Sequence, residues 1–206
     1  MTNSSPIIVA IILKIRENMH RCDFINIGEY MKTKLCIFLL VAVCIICGCS
    51  RHEWKEFSSA KGKFSVLMPG DPQEQHQVVN TAVGPIDLYM YTIDSGSIAY
   101  IVGYSDYPED FIKNSEPKKI LDGAREGAVR NIKGTLVASR EITLEGHPGM
   151  EFAFDVPKRP EFPYDGIGRS HMFLVGNRLY QCMVIGKKSS SVEEVTKFVD
   201  SFRLSK

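Results

Sequence analysis

The stretch IAYIVGY, residues 98–104, is apolar on both faces if extended, and such a strand needs cover on both sides. A sheet with one wet face cannot accommodate it, so the chain is expected to build at least three layers. Other segments read as partner strands. Phe64, Val66 and Met68 alternate and stop at the turn cluster Pro69-Gly70-Asp71-Pro72. Ile86, Leu88 and Met90 share one strand face, with Tyr89, Tyr91 and Ile93 on the other. Asp94-Ser95-Gly96-Ser97 should turn the chain into residues 98–104. Met150, Phe152, Phe154 and Val156 alternate with Glu151, Ala153 and Asp155, and Gly176-Asn177 fits a tight hairpin turn between residues 172–175 and 179–185. Short turns between these runs favour antiparallel pairing.

Two helical stripes can supply the cover. Ile120, Ala124, Ala128 and Ile132, with Leu121 and Val129, recur at helical spacing. Ser115 is expected to cap this helix, Pro117 to occupy its first turn and Gly134 to end it. Val192, Val195, Val199 and Phe202 form the second stripe, behind an expected capping box of Ser190 and Glu193. The fold class is therefore α+β, an antiparallel sheet of about six to eight strands with helices packed on it.

The N-terminal region obeys different rules. Residues 35–46 form a run of twelve apolar side chains behind Lys32 and Lys34. That is too short to cross a bilayer, which takes about 20 residues, but it matches the basic and apolar regions of a secretory signal. Ile46-Cys47-Gly48-Cys49 then resembles the lipobox of a bacterial lipoprotein signal, with Cys47 a less usual occupant of its position. The resemblance implies cleavage before Cys49 and lipidation of its thiol, with residues 31–48 as signal peptide and 49–53 as a lipidated tether. Ser50 after the cysteine resembles signals for outer-membrane delivery, facing the periplasm, if the host has two membranes. Residues 1–30 carry no domain pattern and are expected to be leader translated from a misplaced start codon; the alternative is a genuine N-terminal extension. Met31 stands where such signals start, and Gly28-Glu29 can be encoded by a purine run like a ribosome-binding site. The charge of the whole chain is +1, and residues 49–206 keep 20 basic against 21 acidic groups, so no basic field points to nucleic acid.

Within residues 54–206, Phe64-x-Val66-x-x-Pro69, Gly146-x-x-Gly149-x-Glu151 and Asp200-Ser201-Phe202-Arg203-Leu204 resemble a broad PsbP-like group. That group includes DcrB-like envelope lipoproteins and the Ran-binding Mog proteins. The resemblance implies an α/β/α sandwich around an antiparallel sheet. Photosystem and Ran binding do not carry over, because neither has a motif matched here.

Residues that could do chemistry are scattered. His52, His76, His147 and His171 lack metal-ligand spacing, and neither a cofactor nor a metal is expected. His147 sits in an expected turn, Gly146-His147-Pro148-Gly149. His171 shares a strand face with Arg169, Phe173 and Val175, so Arg169 and His171 are the candidate pocket. Gly168-Arg169-Ser170-His171-Met172 lacks the final glycine of a nucleophile elbow. Asp106, Glu109 and Asp110 fit no calcium loop. Cys182 falls between Tyr180 and Val184 on one strand face, as a buried inert thiol would. The candidate interaction loop is residues 157–165, where three prolines stiffen the backbone and Lys158, Arg159, Phe162 and Tyr164 offer charge and apolar area. The alternative for that loop is a rigid connector with its aromatics folded back on the sheet. The reading that results is a lipid-anchored envelope module, held to the membrane through Cys49, that binds or supports a membrane-associated protein partner. The alternative is an envelope hydrolase or small-ligand carrier with a pocket near His171.

Overall fold

A computed structural model describes residues 53–205 apart from 82, 161 and 191. The two-faced stretch lies in β5 (Ile98–Asp106). It stands third in a seven-stranded sheet ordered β3-β4-β5-β9-β8-β7-β6. The other strands are β3 (Gln73–Thr81), β4 (Gly84–Asp94), β6 (Thr135–Leu144), β7 (His147–Val156), β8 (Gly166–Val175) and β9 (Arg178–Lys187). Every pairing is antiparallel. A second, three-stranded sheet sets β2 (Phe64–Met68) between β1 (Lys55–Ser59) and β10 (Arg203–Leu204). The helices are α1 (Glu109–Lys113), α2 (Pro117–Asn131) and α3 (Val192–Val199). None of them is long and apolar enough to cross a membrane.

The expected α+β class and strand number are what the chain adopts, and both faces of β5 are covered. On the first face Tyr100, Val102, Tyr104, Tyr180, Cys182 and Val184 meet Phe64, Val66 and Met68 of β2 and Phe198 and Val199 of α3. Phe202 stacks on Phe64 at 5.5 Å and on Phe173 at 5.8 Å. On the second face Ile120, Leu121, Val129 and Ile132 from α2 and its C-terminal end cover Phe152, Phe154, Met172 and Leu179. Helices lie on both faces as expected. The small sheet shares the first-face layer with α3, which the alternation alone did not reveal.

Several local expectations need correction. His147 opens β7 rather than sitting in a turn; the turn is Glu145-Gly146, both with positive φ (51° and 83°), as a tight hairpin requires. Ser115 does not cap α2. The N-cap is Glu116, without a side-chain hydrogen bond, because Pro117 already stands at the first helical position. Gly134 is not the left-handed residue at the helix end. Lys133 takes that conformation (φ 54°), its N–H donating to Arg130 O and that of Gly134 to Val129 O, both at 2.9 Å. Glycine at 134 is needed for close approach, since a Cβ there would lie 2.9 Å from the Asp155 carbonyl. The Ser190–Glu193 box is not formed, because α3 starts at Val192 and the buried Ser190 Oγ has no hydrogen-bond partner among the described residues. Helix α1 is an addition to the two helices expected.

Strand register also depends on a close contact. Gly168 lies opposite Phe154, whose ring occupies the space a side chain would fill: a Cβ at 168 would come within 2.0 Å of it. Gly168→Ala should therefore destabilise the domain by about 1–3 kcal/mol in chemical denaturation, as overpacking of a full core does. An unchanged midpoint would mean that the Phe154 ring is not lodged over β8.

Candidate functional site

Antiparallel register aligns residues from all seven strands into rows. One row on the first face reads Arg140, Glu151, His171, Cys182, Val102, Tyr91 and Glu74, from β6 across to β3. The small sheet and α3 cover the middle of this row, leaving the β6–β8 end polar. Arg140 Nε donates to Glu151 Oε2 at 2.7 Å, and its Nη2 donates to the same oxygen. His171 Nε2 lies 3.7 Å from that oxygen, an ion-pair distance beyond hydrogen-bond reach. The His171 side chain is 12% exposed and its ring meets Phe173 edge-on at 6.2 Å. Burial lowers its pKa below 6.5, opposed by the charges of Glu151 and Asp200. The imidazole is thus neutral at neutral pH, beside a carboxylate already held by arginine. Arg169, half-buried on the same face, adds positive potential that also disfavours protonation.

The next member of the row offers no nucleophile. Cys182 is fully buried, and burial pushes its thiol well above the usual value, so thiolate does not form. Asp106 is bound to Arg178, and Glu109 to Lys113 at 3.1 Å. Among the described residues no group of three or more His, Cys, Asp and Glu side chains is placed to hold a metal ion. Cys49 and His52 lie outside the described residues.

Loop 157–165 is held at several points. Arg159 and Phe162 exchange backbone hydrogen bonds at 2.8 and 3.0 Å. The Arg159 guanidinium donates to the carbonyl of Ile132, the C-cap of α2, where a cation also meets the negative end of the helix. Phe162 packs over Gly166, where a Cβ would come within 2.3 Å of its ring, and meets Tyr164 edge-on at 4.6 Å. The Tyr164 hydroxyl donates to Gly96 O at 3.3 Å, with the Lys187 ammonium 4.4 Å from its ring centre. Of the four loop candidates, Lys158 is exposed and the other three are half-buried. The loop and the His171 row are separate; the structure does not join them into one site.

Two clefts open on the second face. One of ≈ 300 Å³ lies between Lys118 and Leu121 of α2 and Glu141 and Met150 of the sheet. The other, of ≈ 480 Å³, runs between Arg130 and Lys133 at the helix end and Leu136 of β6. Neither includes His171, which is on the opposite face.

A cluster invisible in the sequence clamps the β1–β2 turn. Arg178 donates to Asp106 Oδ1 at 2.6 Å and Oδ2 at 2.7 Å, and to the carbonyls of Lys61 and Gly62 at 3.0 and 3.1 Å. The Tyr180 hydroxyl donates to Gly62 O at 2.7 Å, and the guanidinium lies 4.5 Å from the Tyr104 ring centre. Asp106 and Arg178 are a cross-strand pair 72 positions apart, so no local spacing could reveal them. Burial pushes the Tyr104 phenol up to about 12.

No protein-family model matches the chain, and no curated protein matches its sequence. Among solved structures it is similar to cyanobacterial PsbP (CyanoP) from Synechocystis sp. PCC 6803, at 11% identity and a TM-score of 0.48, over 76% of this chain and 95% of that one. A Bacteroides thetaiotaomicron VPI-5482 protein is similar at 10% identity and a TM-score of 0.45, over 74% of this chain and 48% of that one. A Pseudomonas aeruginosa protein of unknown function is similar at 9% identity and a TM-score of 0.32, over 66% of this chain and 85% of that one.

A histidine with a folded-state pKa below its unfolded value adds stability above about pH 6.5 that is lost as pH falls through the window beneath. His171→Gln should therefore flatten the loss of Tm on acidification from neutral pH, relative to the unsubstituted chain. Parallel pH profiles for the two proteins would show that His171 titrates normally.

Proposed function

We propose that this chain is a lipid-anchored envelope domain that works by binding, close against its membrane. The observation that carries the proposal is the position of Trp54. Its ring meets Tyr100 edge-on at 5.6 Å, with the Lys197 ammonium 4.7 Å from its centre. A packed residue thus stands five positions after Cys49, the cysteine of the lipobox-like stretch. At about 3.3–3.6 Å per residue the tether reaches no more than roughly 18 Å. A domain of this size is about 35 Å across, judged from its compact radius. The domain cannot swing freely through the envelope, so its partner is membrane-bound or brought to the surface. Two or three acyl chains on Cys49 would make the attachment effectively permanent.

The partly buried polar row at His171 supports the second reading, a hydrolase or small-ligand carrier. Against it stand the Glu151 carboxylate already bound to Arg140, the fully buried thiol beside the imidazole, and the placement of both clefts on the other face. A nucleophile–base–orienter set needs mutual hydrogen-bond geometry that this row does not have.

Intact mass of the membrane-extracted protein should correspond to residues 49–206 plus acyl groups. A Cys49→Ala form should fold with unchanged stability, since the core is made by residues beyond 53, yet fail to restore function in cells. An unmodified Cys49 inside a longer mature chain, or full function from the unanchored form at native abundance, would overturn the proposal.

A further inference from the structure

We infer that one end of the main sheet, where α2 ends and β6 begins, rests on the anionic phospholipid headgroups of the membrane that carries the anchor. Three observations coincide there. First, of the four large apolar side chains exposed among the described residues, three lie at this end: Leu136 (41%), Val137 (59%) and Ile167 (40%). Ile167, on the first face with Arg169, shares a register row with Asp155 and Thr135. Leu136 lies opposite Phe154 on the second face, so the aliphatics flank the sheet end from both sides. Second, Arg130 and Lys133 line one cleft with Leu136, and Lys158 is exposed in the adjoining loop. None of the three makes an ion pair among the described residues, whereas Asp155 is taken up by Lys188 at 3.2 Å. The bond from Arg159 to the Ile132 carbonyl ties the loop that carries Lys158 to the end of α2, one residue before Lys133. Third, the chain enters the domain at the same end. Trp54 sits on Tyr100, whose register row runs through Val184, Arg169 and Ala153 to Ala138, next to Val137. Four strand spacings separate Tyr100 from Ala138, about 19 Å.

These groups fit a bilayer surface better than a bound peptide. A peptide strand would have to add to the edge of β6, but the register shift between Leu136 and Ala138 breaks that edge where the apolar groups stand. The exposed aliphatics come from two strands at the end of the sheet and form no continuous groove. Long basic side chains ringing isolated aliphatics can reach headgroup phosphates while the aliphatics enter the interface. Of the acidic residues of this end, Glu126, in the cleft with Arg130 and Lys133, is paired with Arg125 at 3.6 Å, and Asp155 with Lys188. Asp94, Glu193 and Glu194 belong to β4 and α3, on the α3 side where Trp54 enters. The unpaired cations are therefore concentrated where α2 meets β6, and contact there would stand the strands steeply to the bilayer.

This orientation rests on the lipid-anchor reading, and the test separates the two. The acylated full-length product is reconstituted in phosphatidylcholine vesicles with or without phosphatidylglycerol, carrying one spin label at Val137→Cys or, at the opposite end, at Glu145→Cys. The buried Cys182 does not take the label. With phosphatidylglycerol, the label at 137 should gain collisions with lipid-soluble oxygen severalfold over a water-soluble nickel chelate, while the label at 145 does not change. Neutralising Arg130, Lys133 and Lys158 to Gln should abolish the gain at unchanged thermal stability, each cation contributing about fivefold. Raising salt to about 1 M, where screening acts within about 3 Å, should do the same. A label at 137 that stays water-accessible on acylated protein overturns the docking and leaves the anchor intact. Absence of acyl groups on Cys49 overturns the anchor itself. A label shielded from both reagents in native envelopes but not in vesicles means that a protein occupies the patch, which also overturns the lipid assignment.

Discussion

Burial of the central strands on both faces is the constraint on which the rest of this structure depends. β5, β8 and β9 carry large apolar side chains toward each side, so neither layer alone can make the sheet stable in water. The covers come from distant parts of the chain: β1 and β2 before the sheet, α2 midway, and α3 with β10 at the end. Phe202 closes the arrangement. It is stacked between Phe64 of the small sheet and Phe173 of the large one, and the residues after it pair with β2. Burying one such ring contributes about 1.5–3 kcal/mol, a large share of a domain's net stability. Removing the C-terminal return would uncover several rings at once, which makes folding of the layers cooperative.

Polar groups near the core act mainly as fasteners. Arg178 ties β5, β9 and the β1–β2 turn together, and its guanidinium lies against Tyr104 with four oxygens within hydrogen-bond distance. Its hydrogen bonds to Asp106 raise its pKa further, so the guanidinium stays charged. Arg159 closes the end of α2 in the same manner. The prolines and aromatics of loop 157–165 make it a connector whose shape is fixed by Gly166 beneath Phe162. At the α2–β6 corner, Arg130 and Lys133 make no ion pair among the described residues and line a cleft with the exposed Leu136.

What the sequence revealed follows from how strongly each segment is patterned. Phe64, Val66 and Met68 alternate because only one face of β2 is buried, and the pattern is legible for that reason. β3 and β6 carry no such signal because they are the sheet edges. Gln73–Thr81 and Thr135–Leu144 are mostly exposed, so no apolar period marks them. Helix α2 was recognisable from its stripe, while its end was not: the position of Gly134 is set by the Asp155 carbonyl, a tertiary contact without a local signature. His171 and Arg169 were correctly placed on one strand face. Their neighbours Glu151 and Arg140 come from other strands, so the carboxylate that accompanies the imidazole was out of reach of any spacing rule.

The polar row at His171 and the buried Cys182 are the groups best placed to embarrass a non-catalytic reading, because they set a partly buried imidazole, a carboxylate and a thiol side by side in one row of the sheet. The most direct measurement is complementation in cells lacking the protein, by His171→Gln and Cys182→Ser variants confirmed at normal abundance. A binding module keeps its function through either change, because recognition is spread over a surface and not concentrated in one reacting atom. Loss of function with normal abundance in the His171→Gln cells would contradict the account and place catalysis at the Arg140–Glu151–His171 row.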